Sequence, residues 1–482
     1  MTMLTPVEEA ALELRTRRTW RLDALVLGIV ALLLRLPAFF AARSLVFDDG
    51  VFASSVFAMR RGDLPFRDVF SSQGALFLPL AWLGDLVGLR TINAPRVLAV
   101  AAGVLLTVAT YSCARQLTTR SHALLAAALV TTSGSVLWVT GPLNADGPAL
   151  ALSVLAVAFA LRYRRRPRHV DAVYVGIAAG AAMSIKAIAG PAVLVAGLVV
   201  VCSNHAFVKG LLDGALAASV GVAVVLVTAL PWGIDRVWEQ AFRYHTDATR
   251  QSNVTSALHK VLETLWARDL AVLVALALAA VFLVVRRHGE AGWWRPSLTV
   301  WMLGGWAALV VVLLVTEPAL WRAHVAHLVV PLALLAALAP PPWRVLLVAA
   351  VVVVPVSVYQ NHTILWPGGY SGTDAAVVAR LHSLPDDALV ISDDPGLVWR
   401  AERGVPGPFA DASFLRIDAG ELTASKVARA AQARDVCGVL VTSPDRYGRF
   451  TDLGDRLRAE GFFAEHFGDE VTFYARPGCE PS

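Results

Sequence analysis

Charge is scarce in this 482-residue chain: Asp, Glu, Lys and Arg make up 16% of it, against about 25% in soluble domains. With 56% of the residues hydrophobic, that shortage excludes an ordinary soluble globular protein. Cysteine is scarce too. Cys113, Cys202, Cys437 and Cys479 have no CxxC spacing and no metal-ligand pattern. Cys437 and Cys479 can pair if their region faces an oxidising side, or remain two inert thiols. No GxGxxG accompanies Gly396, Gly404 and Gly407, so nucleotide binding has no support. A cleavable signal peptide is not needed, because the first apolar block, Leu22–Ala41, is too long for a signal h-region.

What is present is a succession of apolar blocks separated by short basic or Pro/Gly-containing stretches, the pattern of a polytopic α-helical membrane protein. Arg15, Arg17, Arg18 and Arg21 precede the first block and place the amino terminus on the cytoplasmic side. About eleven spans follow: Leu22–Ala41, Arg96–Ala114, His122–Val139, Pro148–Leu161, Val170–Ile185 and Ile188–Val201, then Val208–Leu230, Leu270–Val285, Leu298–Val315, Val325–Leu338 and Val345–Tyr359. This threading puts Arg115, Arg120, the Arg162–Arg168 cluster, Arg286, Arg287 and Arg344 inside. The basic residues therefore read as topology signals, and no nucleic-acid partner is expected. Two long outer loops result, 42–95 and 231–268. The first contains Ala75–Leu89, too short for a span and read as an interfacial or re-entrant helix.

The expected organisation is a transmembrane domain over 1–360 and a small extracytoplasmic α/β domain over 371–482. In the second domain strands at Ala388–Ser392, Val436–Thr442 and Val471–Ala475 alternate with helices at Ser425–Ala433 and Phe450–Glu460. The lack of a site motif there points to an accessory or substrate-shaping role.

Phe47-Asp48-Asp49-Gly50 follows the first span directly, and ionisable residues beside a bilayer are expensive enough to mark candidate functional sites. On the expected topology other polar groups gather on the same outer side. They are Asp146, Lys186 at a hairpin tip, Arg243 and His245 in the second long loop, and Arg322, His324 and His327 at the edge of the tenth span. A carboxylate at the boundary can deprotonate a hydroxyl nucleophile, and nearby cations can hold a leaving lipid phosphate. Each residue also has a plain structural reading. Asp48 and Asp49 can be a solvated helix boundary, Asp146-Gly-Pro a turn, Lys186 a snorkelling side chain, and Arg243 and His245 loop charges. His324 and His327, one turn apart, suit a metal, a phosphate or structural contacts; a divalent metal is left open as cofactor.

The ordered set of a first span, Asp48-Asp49, Arg61-Gly62-Asp63-Leu64-Pro65-Phe66-Arg67-Asp68, Ser72-Gln73-Gly74 and Asn93-Ala94-Pro95-Arg96 resembles the first outer loop of GT-C-fold glycosyltransferases. The resemblance is to the bacterial protein-mannosyltransferase and aminoarabinose-transferase-like superfamily. Met183-Ser184-Ile185-Lys186 resembles its hydrophobic-Thr-Lys element, and Arg322-Ala-His-Val-Ala-His-Leu-Val-Val-Pro331 its late span. The resemblance covers about residues 20–360. It implies a polyprenyl-phosphate sugar donor in a plasma membrane and transfer, typically with inversion, to an extracytoplasmic glycan, lipid or protein. It implies Asp48 as general base, Asp49 as its neighbouring carboxylate, Asp146 as the second acidic position, and Lys186, Arg322 and His324 as phosphate contacts. Ser72-Gln73-Gly74-Ala75 departs from the Lys-Pro-Pro element of many relatives, which shifts the phosphate site towards Lys186 or the histidines. A multi-span transporter or lipid flippase is the alternative. Against it, the ionisable groups gather at one face and the halves show no repeat.

Overall fold

The computed structural model describes residues 6–203, 207–243, 254–287, 297–317 and 320–479. Its first ten long elements are helices. They are α1 (Pro6–Phe39), α2 (Phe47–Arg60), α3 (Phe77–Val87), α4 (Val97–Leu117), α5 (Arg120–Thr132), α6 (Gly134–Thr140), α7 (Asp146–Arg165), α8 (His169–Ile185), α9 (Gly190–Val201) and α10 (Phe207–Ala229). Further apolar helices cover Leu270–Arg287, Leu298–Thr316, Ala326–Leu338 and Trp343–Gln360.

Among the described residues six helices are long and apolar enough to cross a membrane, or eight if each of two bent pairs counts as one span. The eleven crossings expected from hydropathy are not all met by length. Three of the expected spans are shorter apolar helices, within His169–Ile185, Ala187–Val201 and Arg322–Leu338.

Small residues let these helices approach closely. A Cβ on Gly176 or Gly180 of α8 would lie 2.4 Å from the Ala217 carbonyl oxygen or 2.5 Å from that of Gly221, so α10 packs backbone to backbone against a Gly-xxx-Gly face. The two bent pairs interlock at their breaks. Helices α5 and α6 meet at 61°, and Val254–Arg268 meets the next helix at 96°. At the second break Asp269 accepts hydrogen bonds from Ser133 Oγ (2.5 Å) and the Ser135 amide (3.1 Å) at the first. Interrupted helices in a bilayer need such internal partners. Helix Val254–Arg268 lies within the second expected outer loop and carries polar and apolar residues on different faces, so it forms no continuous apolar run.

The C-terminal region is a four-stranded sheet in the order β1-β2-β4-β3, with β1 Leu389–Ser392, β2 Val436–Val441, β3 Phe463–Phe467 and β4 Val471–Ala475. Strands β1 and β2 are parallel and the other pairings antiparallel. Strand β3 was not expected: as an edge strand it carries Glu465 and His466, which blunt the apolar signal. Cys437 and Cys479 form a disulfide that ties β2 to the end of the chain.

This region docks on α2. A Cβ on Gly50 would lie 2.5 Å from Gly396 Cα, and Ser54 Oγ donates to the Pro395 carbonyl at 3.0 Å. Glycine at both positions is what allows the close approach. The carboxyl ends of β1 and β2 therefore face the helix that begins with Asp48 and Asp49.

Candidate active site

A cavity of about 810 Å³ opens where α2, the Asn144–Asp146 segment, the Lys186 turn, the loop at 317–324 and the C-terminal sheet meet. Asp48, in the first turn of α2, lines it. One of its carboxylate oxygens accepts from Asn144 Nδ2 at 3.1 Å, and Asn144 Oδ1 in turn accepts from the Asp146 amide at 2.8 Å. Asn144 thereby fixes the distance between α2 and the start of α7. Burial pushes the Asp48 carboxyl up to about 6. The negative charges of Asp146 and Asp411 act the same way, and Lys186 and His324 oppose it.

Asp49, expected to share the catalytic role, does not line the cavity. It is fully buried and grips Arg96, at 3.1 Å from Nε and 2.5 Å from Nη2. Its two oxygens also accept from the amides of Leu143 (2.8 Å) and Leu45 (3.1 Å). Arg96 continues into the carbonyls of Ala38, Ala41 and Arg43, at the end of α1. The adjacent carboxylate is thus a clamp joining α1, α2 and the loop before α7. The reason is geometric: successive residues of a helix point about 100° apart, so only one of the pair faces the cavity.

Asp146 is fully buried at the first position of α7. Lys186 Nζ lies 2.8 Å from its Oδ2, while His327 Nε2 and His324 Nε2 stand 3.5 and 3.7 Å from Oδ1. His324 Nδ1 pairs with Glu317 at 2.7 Å. Lys186 can reach inward because the chain is extended there, between α8 and a short turn of Ala187–Ala189. That turn is braced by the segment around Gly74. The Gly74 amide donates to the Ile185 carbonyl (2.9 Å) and the Leu76 amide to that of Ser184 (3.0 Å). A Cβ on Gly74 would sit 2.3 Å from the Ser184 oxygen.

Arg322 and Arg243 line the cavity, each holding an acid: Glu263 at 2.7 Å and Glu239 at 3.0 Å. His327 is buried beside Asp146 behind the wall. His245 lies outside the described residues. Among the described residues no three His, Cys, Asp or Glu side chains form a metal-holding group, and the Lys186 ammonium already faces Asp146.

Sequence reasoning missed Asn144, Glu317, Asp411 and Arg446. Asn144, two residues before an acidic position, is the one with a local signal. Asp411 and Arg446 come from loops of the C-terminal region, and only the fold brings them to the cavity. Asp393, at the end of β1, accepts from the amides of Thr442, Ser443 and Tyr447. That wraps the loop after β2 so that Arg446 lies 3.9 Å over the Phe47 ring.

Residues 76–234 match the family model described as dolichyl-phosphate-mannose-protein mannosyltransferase. No curated protein sequence matches the chain. Among solved structures the chain is similar to ArnT from Cupriavidus metallidurans bound to undecaprenyl phosphate, at 15% identity and a TM-score of 0.63, covering 96% of this chain and 98% of that one. It is also similar to the archaeal oligosaccharyltransferase AglB from Archaeoglobus fulgidus, in complex with an inhibitory peptide and a dolichol-phosphate. There the identity is 13% and the TM-score 0.54, covering 97% of this chain and 75% of that one. The family model covers residues 76–234, within the helical bundle, and the chain shares the fold of these two solved structures over nearly its whole length.

Proposed function

We propose that this protein transfers a sugar from a polyprenyl-phosphate carrier to a hydroxyl acceptor on the outer face of the plasma membrane, with inversion, using Asp48 as general base. The observation that carries the reading is one cavity lined by both a base and a cation set, Asp48 with Asn144 together with Lys186, Arg322, Arg243 and Arg268. Asp48 accepts the acceptor's hydroxyl proton, and the oxygen attacks the anomeric carbon from the side opposite the phosphate. The bond from that carbon to the phosphate oxygen breaks, and the lipid phosphate leaves with the electron pair towards the cations. A single displacement of this kind inverts the anomeric centre. A carboxyl held near 6 suits the base role, being ionised at neutral pH yet more basic than an exposed aspartate.

In this reading residues 1–360 form the transmembrane catalytic domain and 371–482 an extracytoplasmic domain that completes the cavity. Asp49 then acts in folding, and Asp146 in holding Lys186. The Cys437–Cys479 disulfide supports the outside placement, since such bonds persist in oxidising compartments. Exposed Cys202 follows the span expected to return to the cytoplasm. A membrane-impermeant maleimide should label it in inverted vesicles and spare it in intact cells; the reverse pattern would overturn the orientation.

The direct test is Asp48→Asn in nanodiscs supplied with radiolabelled undecaprenyl-phosphate sugars. Loss of a general base costs about 10²–10⁴-fold, so turnover should fall at least a hundredfold with the protein still folded. Unchanged turnover removes Asp48 from the mechanism.

A further inference from the structure

We propose that Asp411 orients the acceptor, and that the acceptor is a carbohydrate ring with neighbouring free hydroxyls, one taken by Asp48 and the next by Asp411. This rests on the transfer reaction proposed above and names its second substrate.

Asp411 reaches the cavity from the C-terminal region, on the loop that follows the Gly407–Phe409 turn, and is only 4% exposed. One carboxylate oxygen accepts from Ser72 Oγ at 3.0 Å and the other from the Ser413 amide at 2.9 Å. Among the described residues it forms no ion pair. A carboxylate offers about four acceptor positions, so two protein donors leave capacity for a ligand hydroxyl. Keeping an unpaired carboxylate in a buried wall is costly without a purpose in the bound state. Gln73 Nε2 donates to Ser72 Oγ at 3.3 Å, which steadies the hydroxyl that holds Asp411 in place.

The surroundings select the ligand class. Asp411 lines the same cavity as Asp48, and its charge is felt there. Two acceptor carboxylates lining one cavity favour a ligand that donates several hydroxyl hydrogens. Beside them the Trp321 and Phe414 rings meet at 5.3 Å across the seam between the helical bundle and the C-terminal region. They add an apolar surface, lining the same cavity, against which the C–H face of a pyranose or furanose can lie. A serine or threonine side chain would present one hydroxyl to Asp48 and leave Asp411 unused.

Partitioning of the donor between transfer and hydrolysis tests this. Full-length protein in nanodiscs is given radiolabelled undecaprenyl-phosphate sugars with octyl glycosides carrying vicinal hydroxyls, or with water alone. A hydrogen bond to a charged group contributes about 1.5–3 kcal/mol, so Asp411→Asn should lower the transfer-to-hydrolysis ratio by about 10- to 100-fold. Ser72→Ala should lower it less. Hydrolysis by the same sample reports that each variant is folded. The acid limb of its pH profile should also move down, because one negative neighbour of Asp48 is gone while Lys186, Asp146 and His324 remain. An unchanged ratio, or preferential glycosylation of a Ser/Thr peptide over every octyl glycoside, overturns the inference while leaving the transfer reaction intact. No donor consumption by the unsubstituted protein removes both.

Discussion

Two carboxylates adjacent in sequence, Asp48 and Asp49, end in opposite environments. Asp49 belongs to a closed region. Its oxygens receive Arg96 and two backbone amides, and Arg96 spends its remaining donors on the carbonyls ending α1. Asp48 belongs to an open region, where Asn144 supplies a hydrogen bond and a cavity of about 810 Å³ supplies space. Satisfied polar groups make structure; under-satisfied ones held rigidly beside space are available for chemistry. The rigidity of the second depends on the first, because the Asp49 clamp fixes the helix turn from which Asp48 projects.

The sharpest way to break this contrast is to remove the clamp. Asp49→Asn leaves the Arg96 guanidinium, itself fully buried, without its counter-charge. Breaking a buried pair from one side costs about 3–5 kcal/mol. The variant should be lost from the monodisperse fraction in detergent size exclusion, with activity falling in proportion to folded protein. A well-folded, inactive Asp49→Asn would instead move Asp49 to the chemistry.

Lys186 tests the cation of the same cavity. Lys186→Met removes the cation 2.8 Å from Asp146 and the charge that opposes the rise of the Asp48 carboxyl. Loss of one preorganised electrostatic contact costs about 10²–10³-fold in turnover. The acid limb of the pH–rate profile should shift upward from about 6, because Asp48 becomes harder to ionise. A large rate loss with no shift would separate Lys186 from Asp48 and leave it a lipid-phosphate contact alone.

Much of the architecture was legible in the sequence, for physical reasons. Apolar blocks of spanning length have few other uses, and β1, β2 and β4 are short apolar runs separated by helical stretches. Lys186 and Asp146 were found as isolated charges in apolar surroundings. The pairing between them was not, because residues forty positions apart meet only through the packing of α7 on α8. Hydropathy also could not separate a straight span from the bent pairs, since composition averages over a break. Ser133 and Asp269, which satisfy those breaks, look like ordinary loop residues until they are brought together. Asp411 was the least visible. It lies in a loop of the C-terminal region, and nothing local distinguishes it from a turn aspartate.

The gentlest prediction concerns stability. A carboxyl raised from 3.8 to about 6 in the folded protein binds its proton more tightly folded than unfolded. Its contribution is therefore fully present below pH 3.8 and is lost as pH rises through about 6. At pH 8 the ionised Asp48 thus costs the fold about 1–3 kcal/mol, the lower end allowing for solvent in the cavity. Asp48→Asn escapes that cost. Its melting temperature should exceed that of the unsubstituted protein at pH 8, and the gap should narrow towards pH 5 as Asp48 takes up its proton. Activity and stability would then move in opposite directions at Asp48 and together at Asp49. A gap that does not change with pH would mean that Asp48 is as comfortably solvated as any surface aspartate, and the contrast between the two neighbours would be lost.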